Sequence, residues 1–243
     1  MRVGLISDLH GNLPALEAVL AELENESLDQ LVCLGDVAVG PYPAKTIARL
    51  RGVECQTLQG NWDDWLAHGI PDLGGTHGAR LVEQGRWWGD QLSAGDRAYL
   101  DALPASLEVP FDGDAVYCFH GSPRSHSDAI HPETSDAELQ EMLGARPEPL
   151  LAGGHTHIQL ARPYGHSILV NPGSVGLPFE RWPPTDGTRV LPWAEYAILE
   201  SQDGEVSIDL RRVSYDVRPL LEETLASGVP HARWWVDCWD FVP

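Results

Sequence analysis

Short apolar runs recur along the chain, and several of them stop abruptly at a polar segment. Runs of this length are typical of buried strands. The first run, residues 3–7, ends at the segment 8–12, whose sequence is Asp-Leu-His-Gly-Asn. The pattern predicts strands over residues 3–7, 31–34, 53–58, 115–119, 150–152, 168–170, 195–200 and 206–213.

Between these strands, apolar residues recur at the three- and four-residue spacing of amphipathic helices. The clearest helix follows the first polar segment, where Leu13, Leu16, Leu20 and Leu23 share one face. Asn12 is a good N-cap for it, and the free N–H groups of its first turn would favour an anion. Further helices are predicted over residues 44–50, 79–88, 96–103, 136–143 and 219–226.

Strands and helices alternate through short links in the first half of the chain, which favours a largely parallel sheet. From residue 168 onwards, strands follow one another through turn-rich links such as Asp203-Gly204, which favours an antiparallel run. Two mixed sheets, packed as a sandwich and flanked by helices, would satisfy both patterns. We therefore predict an α/β protein with four layers, in the order α/β/β/α, formed by a single domain over residues 1–243.

The C-terminal tail, residues 219–243, joins a short predicted helix to a cluster of tryptophans, Trp234, Trp235 and Trp239. Such a cluster is typical of a segment docked on its own core. It would also suit a contact with a second subunit. We therefore expect the tail either to dock within the chain or to form a homo-oligomer.

The composition narrows the range of partners. The chain has 36 acidic and 16 basic residues and a formal net charge of −20, so stable binding of nucleic acid is not expected. No apolar stretch approaches the roughly 20 residues that span a membrane, and residues 1–30 do not resemble a signal peptide. Four scattered cysteines without a C-x-x-C pair are typical of a reducing compartment. We therefore expect a cytoplasmic protein.

Five of the predicted strand ends carry a carboxylate, an amide or an imidazole. Open α/β sheets bind their ligands at this edge. The candidate ligands are Asp8, His10, Asp36, Asn61, His120, His155 and His157. Imidazoles, carboxylates and an amide oxygen suit the divalent ions Mn, Fe or Zn. Seven side chains exceed what one tetrahedral site can use, so they indicate two ions that share a carboxylate.

These residues stand in five separate motifs: Asp8-Leu9-His10, Gly35-Asp36, Gly60-Asn61, the lone His120 and Gly154-His155-Thr156-His157. In this order they resemble the motifs of the calcineurin-like metallophosphoesterases. The segments 171–176 (Asn-Pro-Gly-Ser-Val-Gly) and 215–216 (Tyr-Asp) are similar to the small bacterial phosphodiesterase-like branch. The resemblance runs from residue 3 to about residue 230 and implies a two-sheet sandwich flanked by helices.

The resemblance also implies a role for each ligand. Asp8, His10 and His157 would hold one metal ion. Asn61, His120 and His155 would hold the other, and Asp36 would bridge the two. A hydroxide held between the ions would attack phosphorus while the ions clamp the phosphoryl oxygens. The expected function is that of a di-metal phosphoesterase acting on a small organic phosphate.

Trp62 departs from the family's pattern. Many members, phosphomonoesterases especially, have a histidine there that protonates the leaving group, and an indole cannot donate that proton at neutral pH. Asp63 matches the acid that usually follows this histidine, but its orienting role lacks a partner. His126 and His131 are alternative proton donors. We therefore expect a phosphodiester or a nucleotide derivative as substrate, rather than a simple monoester.

Substrate contacts are expected from Asn12, Asn61 and Arg124, the last through a phosphate oxygen. Two other functions stay open. The enzyme could be a phosphomonoesterase acting on a protein or a nucleotide, or the fold could serve as a non-catalytic scaffold. The presence of all seven ligand residues favours an enzyme.

Overall fold

The secondary structure comes from a computed structural model that describes residues 1–181, 188–202 and 204–240. Its strands are β1 (Arg2–Ile6), β2 (Gln30–Cys33), β3 (Gln56–Thr57), β4 (Ser106–Phe111), β5 (Asp114–Phe119), β6 (Leu150–Ala152), β7 (Leu160–Tyr164), β8 (Ser167–Asn171), β9 (Trp193–Gln202) and β10 (Glu205–Ser214). Its helices are α1 (Leu13–Leu23), α2 (Pro43–Arg51), α3 (Asn61–His68), α4 (Gly75–Gly89), α5 (Ala94–Asp101), α6 (Asp136–Leu143), α7 (Arg218–Ser227) and α8 (Ala232–Asp237).

The strands form two five-stranded mixed sheets. The first has the order β10-β9-β1-β2-β3, in which β1, β2 and β3 are parallel and β9 is antiparallel to both of its neighbours, β1 and β10. The second has the order β4-β5-β6-β8-β7, with β5, β6 and β8 parallel and an antiparallel strand at each edge. The predicted α/β fold with two mixed sheets is thereby confirmed.

The core between the sheets follows from the two-residue alternation of strand side chains. Leu5 of β1 and Val116 of β5 belong to one buried apolar cluster that joins the two sheets. The next residue of β1, Ile6, belongs instead to the cluster that includes Leu16 of α1. Each central strand therefore contributes apolar side chains to both of its faces.

Helices cover the outward face of each sheet. On the first sheet, α1 and α2 bury Leu16 and Ile47 in the same cluster as Ile6. On the second sheet, Leu139 of α6 belongs to one cluster with Phe119 of β5. The layers therefore run helix, sheet, sheet, helix, as the sequence pattern predicted.

The second half of the chain does not form the single antiparallel run that was predicted from residue 168 onwards. β8 is parallel to β6 and antiparallel to β7, and β9 and β10 form a separate hairpin. This hairpin joins the other sheet, where Ala197 of β9 lies opposite Leu5 of β1. The link from β8 to β9 changes sheets, and its sequence has no periodicity that would reveal the change. Asp203, half of the predicted turn, lies outside the described residues.

Four elements were not predicted, and one of them is the short helix α8. The edge strands β4 and β7 contain Pro110 and Pro163, which weaken a strand pattern but are tolerated at sheet edges. The fourth is α3, which begins at Asn61 directly after a strand of only two residues. A strand this short leaves too little pattern to separate it from the helix that follows.

The tail packs on the body of the same chain. Trp235 and Trp239 are 7% and 6% exposed, and the ring centroids of Trp235 and Trp88 of α4 lie 6.1 Å apart. Gln84 of α4 donates from Nε2 to the carbonyl of Pro230 at 3.0 Å. The contacts hold α8 beside α4 and the carboxyl ends of the first sheet. No described helix is long and apolar enough to cross a membrane.

Candidate metal centre

The seven predicted ligands come from loops that meet at the carboxyl ends of the central strands. Asp8 and His10 follow β1, and Asp36 follows β2. Asn61 is the first residue of α3, and His120 follows β5. His155 and His157 follow β6. The structure therefore brings together residues that lie up to about 150 positions apart in the chain, as strand-end positions predict.

Asp8, His10 and His157 form one group whose ligand atoms lie within 4.8 Å of one another. Nε2 of His157 is 3.0 Å from Nε2 of His10 and 3.2 Å from Oδ1 of Asp8. Oδ2 of Asp8 accepts from Ser7 Oγ at 2.6 Å and from the backbone N–H of His155 at 3.1 Å. Oδ1, in contrast, is buried without a hydrogen-bond partner among the described residues. A bare carboxylate oxygen beside two imidazole nitrogens fits a divalent cation.

Asp36, His120 and His155 form a second group, again with ligand atoms within 4.8 Å. Oδ1 of Asn61 adds an amide oxygen 3.0 Å from Nε2 of His120. Oδ2 of Asp36 lies 3.5 Å from Nε2 of His120 and 3.7 Å from Nε2 of His10. Asp36 therefore stands between the two groups, in the position that a shared carboxylate would need.

The hydrogen bonds of two imidazoles aim their free nitrogens into the cluster. Nδ1 of His120 lies 2.6 Å from the carbonyl oxygen of Leu34, and Nδ1 of His157 lies 2.6 Å from that of Leu177. A carbonyl oxygen can only accept, so each Nδ1 carries the hydrogen and donates. The Nε2 lone pair of each ring is then available to a metal ion, which is the usual arrangement of histidine ligands.

Burial and neighbouring charges set the protonation of the cluster. Burial lowers the pKa of His10 to about 4 and that of His155 to about 3, so both rings are neutral at pH 7, as metal ligation requires. Burial would also lower the pKa of His120, but the carboxylate of Asp36 raises it to about 10. A cation beside Asp36 would compete directly with that proton.

The ligand loops are held in a sparsely populated backbone conformation. Among the described non-glycine residues, eight have positive φ, and five of these are candidate ligands: Asp8 (54°), His10 (47°), Asp36 (55°), His155 (67°) and His157 (59°). The left-handed region costs an ordinary residue about 1–2 kcal/mol. Such conformations persist only where surrounding contacts enforce them, and they concentrate at functional sites.

Two motif glycines allow the ligand loops to approach one another. A Cβ on Gly60 would overlap the carboxylate of Asp36, and a Cβ on Gly154 would lie 2.8 Å from Oδ2 of Asp8. Both glycines are therefore required by space, and neither has a positive φ. This explains why glycine precedes the ligand in the Gly-Asn and Gly-His-x-His motifs.

Asp63 ties the loop after β2 to the start of α3. Its Oδ2 accepts from the backbone N–H groups of Asp36 at 2.8 Å and Gly60 at 3.0 Å, and its Oδ1 accepts from that of Val37 at 2.9 Å. Both oxygens of this buried carboxylate are thus engaged by the backbone. The orienting role that the sequence suggested for Asp63 is replaced by a structural one, which we call the Asp63 clamp.

A cavity of about 190 Å³ opens beside the cluster. Five candidate ligands face it: His10, Asp36, Asn61, His155 and His157. Its other walls are largely apolar and include Trp62, Trp65, Trp88, Leu177, Phe179 and Trp235. Of this wall, the sequence singled out Trp62 as a site residue and Trp235 only as part of the tail cluster. Trp65 could have been found, because it lies three positions after Trp62 on the same helix face.

Asn12 caps α1 and also fastens two distant segments. Its Oδ1 accepts from the backbone N–H of Ala15 at 3.1 Å, and its Nδ2 donates to the carbonyl of Gly176 and the hydroxyl of Tyr215 at 2.9 and 2.8 Å. The side chain is 1% exposed. Both polar atoms of the side chain are therefore hydrogen-bonded within the protein. The geometry assigns Asn12 a structural role in place of the predicted substrate contact.

Arg124 is turned toward the protein surface. Its Nε donates to Oδ2 of Asp128 at 2.6 Å, and a terminal nitrogen donates to the carbonyl of Glu141 at 3.3 Å. Arg124 does not line the cavity among the residues that are described. The predicted phosphate contact would therefore require this guanidinium to leave Asp128.

The two predicted proton donors lie in different surroundings. Nε2 of His126 is 3.4 Å from Oδ2 of Asp64, and its ring meets that of Trp65 edge-on with centroids 6.4 Å apart. His126 therefore stands next to α3, at the outer side of the cavity wall. Burial lowers the pKa of His131, whose neighbouring charges are Glu133 and Glu138. His126 thus contacts Trp65, a residue of the cavity wall.

A two-sheet sandwich with carboxylate and imidazole groups at its strand ends defines the class of metallophosphoesterases. The calcineurin-like phosphoesterase superfamily domain matches residues 1–192. The chain belongs to this superfamily, and the resemblance seen in its motifs is confirmed. Membership implies a metal-dependent hydrolase of phosphoesters.

Relatives match nearly the whole chain. An uncharacterized protein of Methanocaldococcus jannaschii is 27% identical over 247 residues, covering 94% of this chain and 93% of its own. The crystal structure of a metallophosphoesterase from Sphaerobacter thermophilus is 28% identical, with a TM-score of 0.73, and covers 98% of this chain and 99% of that one. A hypothetical protein of Pyrococcus horikoshii has a TM-score of 0.75 over 97% and 96% of the two chains, and its 21% identity shows the fold alone. The two structural likenesses therefore extend beyond residue 192.

Proposed function

We propose that the protein is a di-metal phosphodiesterase that acts on a small organic phosphate, a diester or a nucleotide derivative. The observation that carries the proposal is the cavity whose aromatic and aliphatic walls adjoin both ligand groups. A diester presents a second organic group next to the phosphorus, whereas a monoester presents a charged oxygen there. An apolar wall stabilises the second organic group of a diester. The same wall would leave the charged oxygen of a monoester desolvated.

The donor set fits two divalent ions. Asp8, His10 and His157 would hold one ion. Asn61, His120 and His155 would hold the other, with Oδ2 of Asp36 shared between them. Such ions activate water and neutralise the charge that develops on the phosphoryl oxygens. Mn, Fe or Zn suits this mixture of imidazole and oxygen ligands.

The chain's own contribution is to hold these donors in place before any ion or substrate arrives. Carbonyl oxygens fix the tautomers of His120 and His157, and the Asp63 clamp fixes the backbone at Asp36. Burial keeps His10 and His155 neutral. Preorganised ligands lose little conformational entropy on binding, which raises affinity.

Protonation of the leaving group is the step that Trp62 cannot perform. His126 is our proposed donor, because Asp64 and Trp65 hold its ring against α3, the helix that also carries Trp62. An activated aryl leaving group needs little such help, which again favours aryl diesters over alkyl monoesters.

We further propose that the protein works in a reducing, cytoplasmic compartment, since its four cysteines are free thiols. Its strong negative charge supports the expectation of no stable nucleic-acid partner. Docking of Trp235 and Trp239 within the chain uses much of the tail's aromatic surface. A homo-oligomer through the tail is therefore an expectation that only the mass in solution would test.

Hydrolysis of paired chromogenic substrates tests the function. Protein stripped by a chelator and reloaded with Mn should hydrolyse bis(4-nitrophenyl) phosphate with a higher kcat/KM than 4-nitrophenyl phosphate. Asp36→Asn should abolish the activity, and the surface variant Asp209→Asn, with the same loss of charge, should retain it. A preference for the monoester would indicate a phosphomonoesterase. Bound metal without turnover of either substrate would indicate a scaffold.

A further inference from the structure

The segment 171–177 (Asn-Pro-Gly-Ser-Val-Gly-Leu) contacts the candidate metal centre, although none of its residues is a candidate ligand. The ligands proposed for single ions form two groups: the Asp8 group, which is Asp8, His10 and His157, and the His120 group, which is Asn61, His120 and His155. We propose that Ser174 is a positioning residue that sets the affinity of the Asp8 group for its ion. This rests on the proposed assignment of the ligands to two ions and does not depend on the substrate.

Ser174 is fully buried, and its hydroxyl group both donates and accepts a hydrogen bond. Its Oγ donates to the backbone carbonyl of Asp8 at 2.7 Å and accepts from the backbone N–H of Leu177 at 2.8 Å. The carbonyl of Leu177 in turn accepts from Nδ1 of His157 at 2.6 Å. One hydroxyl group thus holds Asp8 directly and His157 through Leu177, and both of these ligands belong to the Asp8 group.

The contact with Asp8 acts where the backbone needs support. Asp8 has φ of 54°, a conformation that persists only where surrounding contacts enforce it. Its carbonyl also accepts from the N–H of Gly176 at 2.9 Å, and the N–H of Val175 donates to the carbonyl of Ser7 at 2.9 Å. Loss of the Ser174 hydroxyl would remove one of the bonds that fix this backbone, so the carboxylate of Asp8 would be held less firmly.

The glycines of the segment allow it to lie this close to the ligand loop. Gly173 has φ of 80°, and a Cβ there would overlap the carboxylate of Glu195. A Cβ on Gly176 would overlap the carbonyl oxygen of Leu9, the residue after Asp8. The spacing of glycine and serine in the segment is therefore explained by its contacts at the site.

The Asp63 clamp holds a different part of the centre. It engages the backbone N–H of Asp36, whose carboxylate both ions would share. Loss of the clamp should therefore weaken the binding of both ions. Loss of the Ser174 hydroxyl should weaken only the ion of the Asp8 group, and this difference makes the role of Ser174 measurable.

Titration of metal-free protein with Mn²⁺, with bound metal measured after equilibrium dialysis, tests the role. The wild type should bind two ions. Ser174→Ala should weaken one of them by about 10–100-fold, the usual effect of removing a hydrogen-bond partner of a metal ligand, and leave the other unchanged. Ser174→Cys, whose thiol is a weak donor and acceptor, should weaken the same ion less.

Two variants that each retain one group show which ion is affected. In His157→Ala, which keeps the His120 group, adding Ser174→Ala should leave the affinity for Mn²⁺ unchanged. In His120→Ala, which keeps the Asp8 group, the same addition should weaken the remaining ion by about 10–100-fold. Should Ser174→Ala not fold, Ser174→Cys in the same two variants gives the same comparison.

Ser122→Ala is the matched control. Ser122 is also buried and lies two residues after His120, and its hydroxyl group donates to Oδ2 of Asp128 at 2.7 Å and accepts from the N–H of Ser125 at 3.2 Å. Neither partner is a candidate ligand, so both ions should keep their affinities. Urea unfolding of the metal-free proteins should show comparable losses of stability in Ser122→Ala and Ser174→Ala, which separates a positioning role from a merely structural one.

An unchanged Mn²⁺ titration in Ser174→Ala, or equal weakening of both ions, would overturn the role of Ser174, as would weakening in the His157→Ala variant. Hydrolysis of bis(4-nitrophenyl) phosphate by the wild type, measured in parallel, separates this role from the proposed function. The expected binding pattern without turnover would refute only the phosphodiesterase, and turnover with an unchanged titration would refute only the positioning role. A wild type that binds a single ion would overturn both the assignment of two ions and the selective role of Ser174.

Discussion

Replacing the carboxylate of Asp63 should destabilise the protein severely, although this residue is not a predicted ligand. The side chain accepts three backbone N–H groups, from Asp36, Val37 and Gly60, all in the buried centre of the site. A buried donor left unsatisfied costs about 1–3 kcal/mol. Asp63→Ala should therefore lower the free energy of unfolding by at least about 3 kcal/mol, a large part of the roughly 5–15 kcal/mol of a typical domain.

The variant Asp63→Asn tests whether the loss of stability follows the number of hydrogen bonds that this side chain accepts. The amide oxygen can replace Oδ2 and keep the bonds from Asp36 and Gly60, but its NH2 group would then face the N–H of Val37. One bond of three is lost, so the expected cost is about 1–3 kcal/mol. Asp64→Asn, the neighbouring change, is the control: the Asp64 side chain contacts the surface residues His68 and His126, so the change should cost about 0.5 kcal/mol or less.

Urea unfolding followed by circular dichroism measures these costs, and metal analysis of the same samples measures their effect on the site. Because Asp36 has φ of 55°, loss of the clamp should let its backbone relax and reduce metal content as well. An Asp63→Ala variant that unfolds at the urea concentration of the wild type would refute the reasoning. So would an Asp63→Asn variant that is less stable than Asp63→Ala, since that would make the number of acceptors irrelevant.

Three further predictions address the metal ligands, the tail and Trp62. Purified protein should carry close to two divalent ions per chain, and Asp36→Ala should lower the metal content more than His10→Ala or His120→Ala, as elemental analysis would show. Truncation after Ser227 removes the buried indoles of α8 and its end, so the melting temperature should fall by an amount equivalent to several kcal/mol, at about 1.5–3 kcal/mol per buried large side chain. Trp62→His should raise alkyl-monoester turnover by far less than the roughly 10²–10⁴-fold of a positioned general acid, because the clamp leaves no carboxylate oxygen to orient the new ring; a larger rise in kcat/KM would contradict this.

Most of the ligand cluster could be predicted because these ligands follow strands whose apolar pattern is strong. Asp36 follows a buried apolar run of the first sheet and His120 follows one of the second, so their convergence needs the packing of the two sheets as well as the rule that parallel strands share an edge. The left-handed backbone of these residues could not be predicted. Positive φ is uncommon for any residue other than glycine, although Asp and His adopt it more often than most, and the contacts that enforce it here come from other loops.

The edges and connections of the sheets were predicted less well for a related reason. β4 and β7 are held by a single neighbour each, and their prolines disturb the pattern that a strand prediction needs. After β8 the chain crosses to the opposite sheet, because β9 pairs with a strand edge of that sheet that is otherwise unpaired. That edge, beside β1, is defined by residues almost two hundred positions away, so the local periodicity of the sequence does not indicate it.

The candidate metal ligands and the residues of the cavity walls come from different parts of the chain, and this affects substrate specificity. The ligands belong to short motifs within residues 8–157, whereas the cavity walls come from α3, α4, α8 and the segment around Phe179. Trp235 reaches the cavity only because the tail docks on α4. Changes in the tail can therefore alter which ester group is bound while every ligand contact is kept. Relatives that share the five motifs but differ at positions equivalent to Trp88 and Trp235 should accordingly perform the same chemistry on different organic groups.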